Sequence, residues 1–338
     1  MKSYWIVLQN SSSVNIAENL RELNPVVISA NELFGESVNI NKLKHRNITA
    51  FLFEKPFYLL SRLQQMMTAI YMIFVLPRFL GDLPEPDVII YTNDGLFQRL
   101  IFRRYRCAEK IMYVQGILSG NEHVYQRAWQ NKYLNRVIPK LFRPSYLGQS
   151  KPMKIFVLTH FCRGYLVKNG IAKEAIRVIG ISSDITNYPM EKLPKMVLFI
   201  SQSFEWHNMT EMAEIMRLEK KLWKVWCEVN RVEFAIKPHP RNSKRETQGF
   251  QIINVIPDFA SDVVVIGMNS TLLLELRLAG HKVFISDVNG SKWSRQNAFG
   301  QMKDFEILTS LPPDVSSLFN WPVNPPVELS YFRKETLL

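Results

Sequence analysis

Runs of four or five apolar residues, each closed by a polar or proline-containing loop and followed by a stretch of helical periodicity, recur along this chain and set its predicted elements. In the first half, strands are expected at residues 4–8, 26–29, 50–53, 88–91, 110–114, 155–159 and 175–179. Helices are expected at 17–23, 57–76 and 96–106, with an irregular helical stretch at 121–137. Residues 182–194, with two prolines and little periodicity, read as a linker. The second half repeats the alternation, with strands at 197–200, 232–236, 252–255, 263–266 and 283–285. Its helix at 210–228 carries Met212, Ile215, Met216, Leu222, Trp223 and Trp226 as an apolar stripe, which reads as core. A second helix, 271–279, ends at Gly280 in the C′ place. The tail from Pro312 is Pro-rich and holds a short helix at most. Strands alternating with helices mean parallel sheets, so the chain reads as α/β.

At 338 residues and 47% hydrophobic, the chain is long enough for two cores. The expected division is 1–188, 195–311 and a tail at 312–338. Cys107, Cys162 and Cys227 lie far apart with no CxxC spacing, which argues against a disulfide framework or structural zinc and favours a reducing cytoplasm. The N-terminus, basic and then apolar, breaks into Gln9-Asn10-Ser11-Ser12-Ser13 too early for a signal peptide and reads as a first strand. Residues 63–77 are uncharged but shorter than the ~20 residues of a bilayer crossing, and Gln64, Gln65 and Pro77 interrupt them. They read as a buried or groove-forming helix.

Two segments carry candidate chemistry. Val232, Phe234 and Ile236 form a strand closed by Lys237-Pro238-His239-Pro240-Arg241, whose prolines hold the backbone open and leave His239 beyond the strand end. Val263 to Ile266 form a continuous apolar strand, and the small polar turn Gly267-Met268-Asn269-Ser270 then opens a leucine-rich helix at Thr271. Backbone N–H groups at such a start, with the hydroxyls of Ser270 and Thr271, suit an anion. Each segment alone also fits plain structural chemistry, a Pro-flanked turn and an ordinary helix N-cap. In this order, with one β-like segment between them, both loops come to the carboxyl edge of one parallel sheet, where α/β proteins bind ligands.

His239-Pro240, Ser270-Thr271 and, after the strand at 88–91, Asn93-Asp94-Gly95 together resemble three motifs of the bacterial GT-B glycosyltransferases that use CMP-activated sugars, the polysialyltransferases and lipooligosaccharide sialyltransferases among them. The resemblance spans roughly residues 87–287, and it departs from the family at Asn93, where an acid is usual. It implies a GT-B fold, two Rossmann-like domains with parallel sheets facing a central cleft. It also implies Asp94 as base and His239 as the residue that holds or protonates the leaving phosphate. Around the nucleotide it implies Gln202, Lys237, Pro240, Asn269, Ser270 and Thr271, with Ile256-Pro257 as the segment that contacts the base. Asn-Asp-Gly is a common turn as well. His160, after the strand at 155–159, is an acceptor-side candidate.

The resemblance implies an inverting, metal-independent transferase that moves a nonulosonic acid, of sialic acid or Kdo type, from a CMP-sugar to a bacterial surface glycan. No cofactor is expected. A UDP-sugar or CDP-glycerol donor, or an inactive glycan-binding relative, remains open. The net charge of +12 concentrates at Arg99, Arg103, Arg104, Arg106, Lys110, Arg127, Lys132, Arg136, Lys140, Arg143 and Lys151. It suits an anionic membrane face or a simple solvated surface. No nucleic-acid module is recognisable; the resemblance implies the CMP-sugar and a glycan or glycolipid acceptor as partners, and the charge adds the inner face of the cell membrane.

Overall fold

A computed structural model describes residues 2–8, 16–17, 20–30, 43–48, 52–53, 60–92, 95–114, 152–168, 171–181, 193–205, 209–239, 242, 244–254, 262–322 and 329. The first half builds a sheet from β1 (Tyr4–Leu8), β2 (Val26–Ala30), β3 (Lys44–Ile48), β4 (Val88–Tyr91), β5 (Glu109–Val114), β6 (Lys154–Val157) and β7 (Ile176–Val178), in the order β3-β2-β1-β4-β5-β6-β7. The second half builds another from β8 (Met196–Ile200), β9 (Glu233–Lys237), β10 (Gln251–Ile252), β11 (Val263–Gly267), β12 (Lys282–Ser286) and β13 (Glu306–Leu308), in the order β10-β9-β8-β11-β12-β13. Every pairing in both sheets is parallel.

Both sheets are doubly wound, and both reverse direction beside their first strand, between β1 and β4 and between β8 and β11. The alternation of side chains sorts each central strand between two apolar layers. In β8 and β11, Leu198, Ile200, Val263 and Val265 face the helix Thr271–Leu278, whereas Val197, Phe199, Val264 and Ile266 face the helix Thr210–Asn230. In the first sheet Trp5, Val7, Ile89 and Tyr91 share one core with the helices Arg62–Leu80, Leu96–Arg104 and His160–Lys168. The halves also touch: Leu158 and Phe161 of the first, with Ile181, pack against the second-half core, as does Leu329 from the tail.

Two expectations change. The third strand is Lys44–Ile48 rather than 50–53; it pairs only with β2 and exposes Lys44 and His45, so as a sheet edge it needs no apolar run. The long helix runs from Arg62 to Leu80, not 57–76, and continues through Pro77. Ser61 caps its start, accepting from Gln64 N–H while the Gln64 side chain accepts from Ser61 N–H, which sets the helix's first residue. Of the two readings of this helix, buried or groove-forming, the second holds: it lines a groove beside Leu96–Arg104, one side packs in the core, and its outer side is open to solvent from Leu63 to Phe74. The stretch at 121–137 and most of the 182–194 linker lie outside the described residues. Of the three cysteines, Cys162 and Cys227 are buried, Cys107 is exposed and all are free.

Candidate functional site

The reversal of the second sheet fixes where its loops meet. β8 ends at Ile200, β9 at Lys237 and β11 at Gly267, and the three strands run parallel in neighbouring positions, so the segments Ser201-Gln202-Ser203, Pro238-His239 and Met268-Asn269-Ser270 emerge at one edge. Ser201 N–H donates to the Lys237 carbonyl at 3.0 Å, continuing the ladder one residue past β8. Gln202 N–H and the Ser201 hydroxyl both point back to the sulfur of Met216, on the helix that covers this face. Ser203 is buried at 1% exposure, and its hydroxyl has no hydrogen-bond partner among the described residues. A buried orphan hydroxyl at a strand's carboxyl end suits a ligand's acceptor atom.

One asparagine ties two of these loops together. His239 N–H donates to Asn242 Oδ1 at 2.7 Å, and Asn242 Nδ2 donates to the Gln202 carbonyl at 2.7 Å. The two residues expected at the nucleotide are thus joined through a third, 40 positions from Gln202 in the chain. His239, Gln202 and Lys237 are all half-buried, which leaves them accessible from the edge.

The β11 loop is held from the other side. Asn297 Nδ2 donates to the Met268 carbonyl at 3.1 Å while its Oδ1 accepts from Phe299 and Gly300 N–H. Gly300 packs so tightly that an added Cβ would lie 2.2 Å from the Ser294 carbonyl, so only glycine fits. Ser270 takes the extended N-cap conformation before Thr271–Leu278, with φ −162° and ψ 135°, yet its hydroxyl makes no capping bond. The ordinary N-cap reading therefore holds for the backbone and fails for the side chain. Leu273 N–H donates to the Ser270 carbonyl at 3.0 Å, and a helix start of this kind, with two hydroxyl residues beside it, is of the type that suits an anion. Asn269 is half-buried and Thr271 exposed at the same place.

Behind the loop after β12, burial raises the Glu219 carboxyl's affinity for its proton, against hydrogen bonds that favour its ionised form. Trp223 Nε1 donates to the Ser286 hydroxyl at 2.8 Å, Ser286 donates to Glu219, and Asn289 N–H donates to Glu219 at 2.8 Å. Asp287, fully buried, pairs with Arg295. These bonds fix the turn after Ser286 from below. Asn242, Asn297 and Glu219 were not foreseen; among them the one sequence signal was Asn242, a turn-forming residue close after the two prolines.

In the first half, β4 leads through Thr92 toward Gly95, the extended N-cap of the Leu96–Arg104 helix, at the reversal beside β1. Asn93 and Asp94 themselves lie outside the described residues, as do Pro240, Ile256 and Pro257. His160 is exposed as the first residue of its helix, at the carboxyl end of β6, two strands from that reversal.

The family model for alpha-2,8-polysialyltransferase matches residues 127–284, a span that holds His239, Ser270 and Thr271 but not Asp94. No curated protein sequence matches the chain. Among solved structures, the kitacinnamycin glycosyltransferase is similar at 13% identity over 96% of this chain and 88% of its own, with a TM-score of 0.56. UDP-GlcNAc 2-epimerase from Neisseria meningitidis, bound to UDP-GlcNAc, gives 12% identity over 94% and 89%, with a TM-score of 0.55. CalG4, the calicheamicin glycosyltransferase, gives 12% identity over 91% and 86%, with a TM-score of 0.54. These likenesses show the fold, which transferases and epimerases share; the polysialyltransferase match over 127–284 lies on the transferase side. The chain therefore has the GT-B fold and, over residues 127–284, is similar to the polysialyltransferases, which together support a sialyltransferase-like glycosyltransferase.

Proposed function

We propose that the chain is an inverting transferase that takes a nonulosonic acid from a CMP-sugar and passes it to a hydroxyl of a bacterial surface glycan, of capsule or lipopolysaccharide type. The observation that carries this reading is the meeting of the Gln202, His239 and Ser270 loops at the sheet reversal, inside or beside the stretch similar to polysialyltransferases. The first half, 1–188, serves the acceptor and the second, 195–311, the donor.

Transfer needs a base for the acceptor hydroxyl and a group that stabilises the departing phosphate. Asp94 takes the acceptor's proton as its oxygen attacks the anomeric carbon. The bond from that carbon to the CMP phosphate breaks on the opposite side, which inverts the configuration. His239 donates to the phosphate oxygen that leaves, and the N–H groups at Thr271 with the hydroxyls of Ser270 and Thr271 hold its charge, the role that a metal plays elsewhere. Lys237 adds positive charge beside them, Asn269 and Pro240 are assigned to the nucleotide, Ile256-Pro257 to the cytosine, and His160 to the acceptor side. The enzyme works in the cytoplasm, peripheral to the inner face of the membrane, to which the exposed Arg103, Arg104 and Arg106 are attracted.

Thermal shift with CMP, CDP, UDP and GDP tests the donor class, because a ligand of the native state raises Tm. The largest rise is expected with a cytidine nucleotide, and transfer from a CMP-sugar should be insensitive to chelator. A rise with UDP alone would replace the CMP reading with a UDP-sugar donor.

A further inference from the structure

The helix Arg62–Leu80 is apolar on two opposite sides, and the fold uses one of them. Ala69, Met72, Leu76 and Leu80 are buried in the core of the first half. Across the helix, Leu63, Met66, Met67, Ile70, Ile73 and Phe74 are exposed by 43% to 69%. Their spacing of three and four residues puts them in one stripe, which Pro77 extends to roughly 21 Å at about 1.5 Å per residue. A surface helix of a water-soluble domain carries charge there; this one carries none from Leu63 to Pro77. Contiguous apolar surface of this kind marks an interaction site.

Charge identifies what covers it. A groove of about 360 Å³ runs between this helix and Leu96–Arg104, with Ile73, Leu76, Pro77 and Leu100 in its lining and Arg103 and Arg104 beside them. Arg78, Arg103 and Arg104 are exposed, and none of them takes part in an ion pair among the described residues. Guanidinium groups match phosphate geometry, so apolar surface bordered by arginine fits acyl chains with phosphate headgroups. The stretch Leu63–Leu80 has a mean hydropathy of 1.3 and the length to cross a bilayer. Crossing would strip Met72, Leu76 and Leu80 from the core, so the helix stays on the domain and lies in the membrane plane.

We infer that the outer side of the Arg62–Leu80 helix docks on an anionic lipid bilayer, its stripe sunk into the headgroup–acyl boundary and Arg78, Arg103 and Arg104 on lipid phosphates. This rests on the peripheral membrane placement proposed above and names its surface; it does not depend on the donor.

Co-sedimentation with phosphatidylglycerol–phosphatidylcholine vesicles and with phosphatidylcholine vesicles tests it, read beside Tm and CMP affinity. Wild type should bind the anionic vesicles about tenfold or more tightly than the neutral ones. Ile70→Glu/Phe74→Glu should lose about tenfold or more on anionic vesicles with Tm and CMP affinity unchanged, because both positions are exposed. Phe74→Ser serves in its place if the double variant lowers Tm. Arg103→Gln/Arg104→Gln should lose the preference for anionic lipid. Variants of the stripe that sediment like wild type would overturn the proposal. So would a wild type that binds no vesicle and forms a dimer that Phe74→Glu separates, which would make the stripe a contact between copies. CMP affinity reads the donor site independently, so either reading can fail alone.

Discussion

Asn242→Ala removes both bonds that join the His239 and Gln202 loops, each 2.7 Å long. A hydrogen bond of this kind contributes about 0.5–1.5 kcal/mol net, so the pair is expected to contribute ~2 kcal/mol, with the half-buried setting keeping the loss from rising further. The substitution leaves His239 N–H and the Gln202 carbonyl without these partners, so the two loops drift relative to one another. CMP affinity should fall by about tenfold, since an ångström of misplacement at a binding constellation is costly. Asn242→Asp separates stability from binding. It keeps the acceptor for His239 N–H, loses the donor to Gln202 and sets a negative charge where the phosphate is expected. Urea unfolding should therefore show a smaller loss than for alanine, while calorimetric titration with CMP shows a larger one. If Asn242→Ala unfolds within ~0.5 kcal/mol of wild type and binds CMP within about twofold, the loops are held by something else and the reasoning fails.

His239→Ala should lower transfer by roughly 10²–10³-fold, or ~2–4 kcal/mol of transition-state stabilisation, with Tm nearly unchanged; a steady-state rate within a few-fold of wild type would remove it from the chemistry. Asp94→Asn keeps the shape of the side chain but cannot accept a proton, so transfer should drop by ~10²-fold or more while CMP still binds, as rate and titration together will show. Ser270→Ala should weaken CMP binding without the ~1 kcal/mol loss of a broken N-cap, because its hydroxyl makes no capping bond; equal affinity with lowered stability would reverse that assignment. His281 is buried at 3% exposure and burial pushes its imidazole down to about 4, so the folded state resists a proton that the unfolded chain binds near 6.5. Its contribution is complete above pH 6.5 and is lost as the pH falls toward 4, by ~3 kcal/mol at most; His281→Leu should flatten that part of the stability profile, and an unchanged slope would refute it.

What the sequence displayed depended on burial. β4 and β11 are buried at every position, so they appear as unbroken apolar runs and were placed within a residue of their ends. β3 and β13 are sheet edges with one neighbour each, and Lys44-His45-Arg46-Asn47-Ile48 carries no apolar run to read. The Thr210–Asn230 helix showed its Met and Trp stripe, but Glu219 and Lys220 are buried with it, against the usual sense of a charged residue. Glu219 is held by Ser286 and Asn289, while Lys220 donates to the Glu246 carbonyl at 2.6 Å and lies over Phe250. Such partners come from distant segments and leave no periodic trace. The same is true of the site. His239 and Ser270 follow strand ends and could be found from the local pattern. Asn242 and Asn297 act through contacts with Gln202 and Met268 that only the folded sheet creates. The helix Arg62–Leu80 read as buried or groove-forming, because apolar residues on both sides do not tell a core face from an open one; one side packs in the core and the other faces solvent.

A crystal structure of the chain with CMP tests the central claim most directly. The account predicts the phosphate at the reversal of the second sheet, ~3 Å from backbone N–H groups at Thr271 and from the Ser270 hydroxyl, with His239 on the same group. CMP bound away from the ends of β8, β9 and β11, or a phosphate with no contact to Ser270, Thr271 or His239, would contradict it.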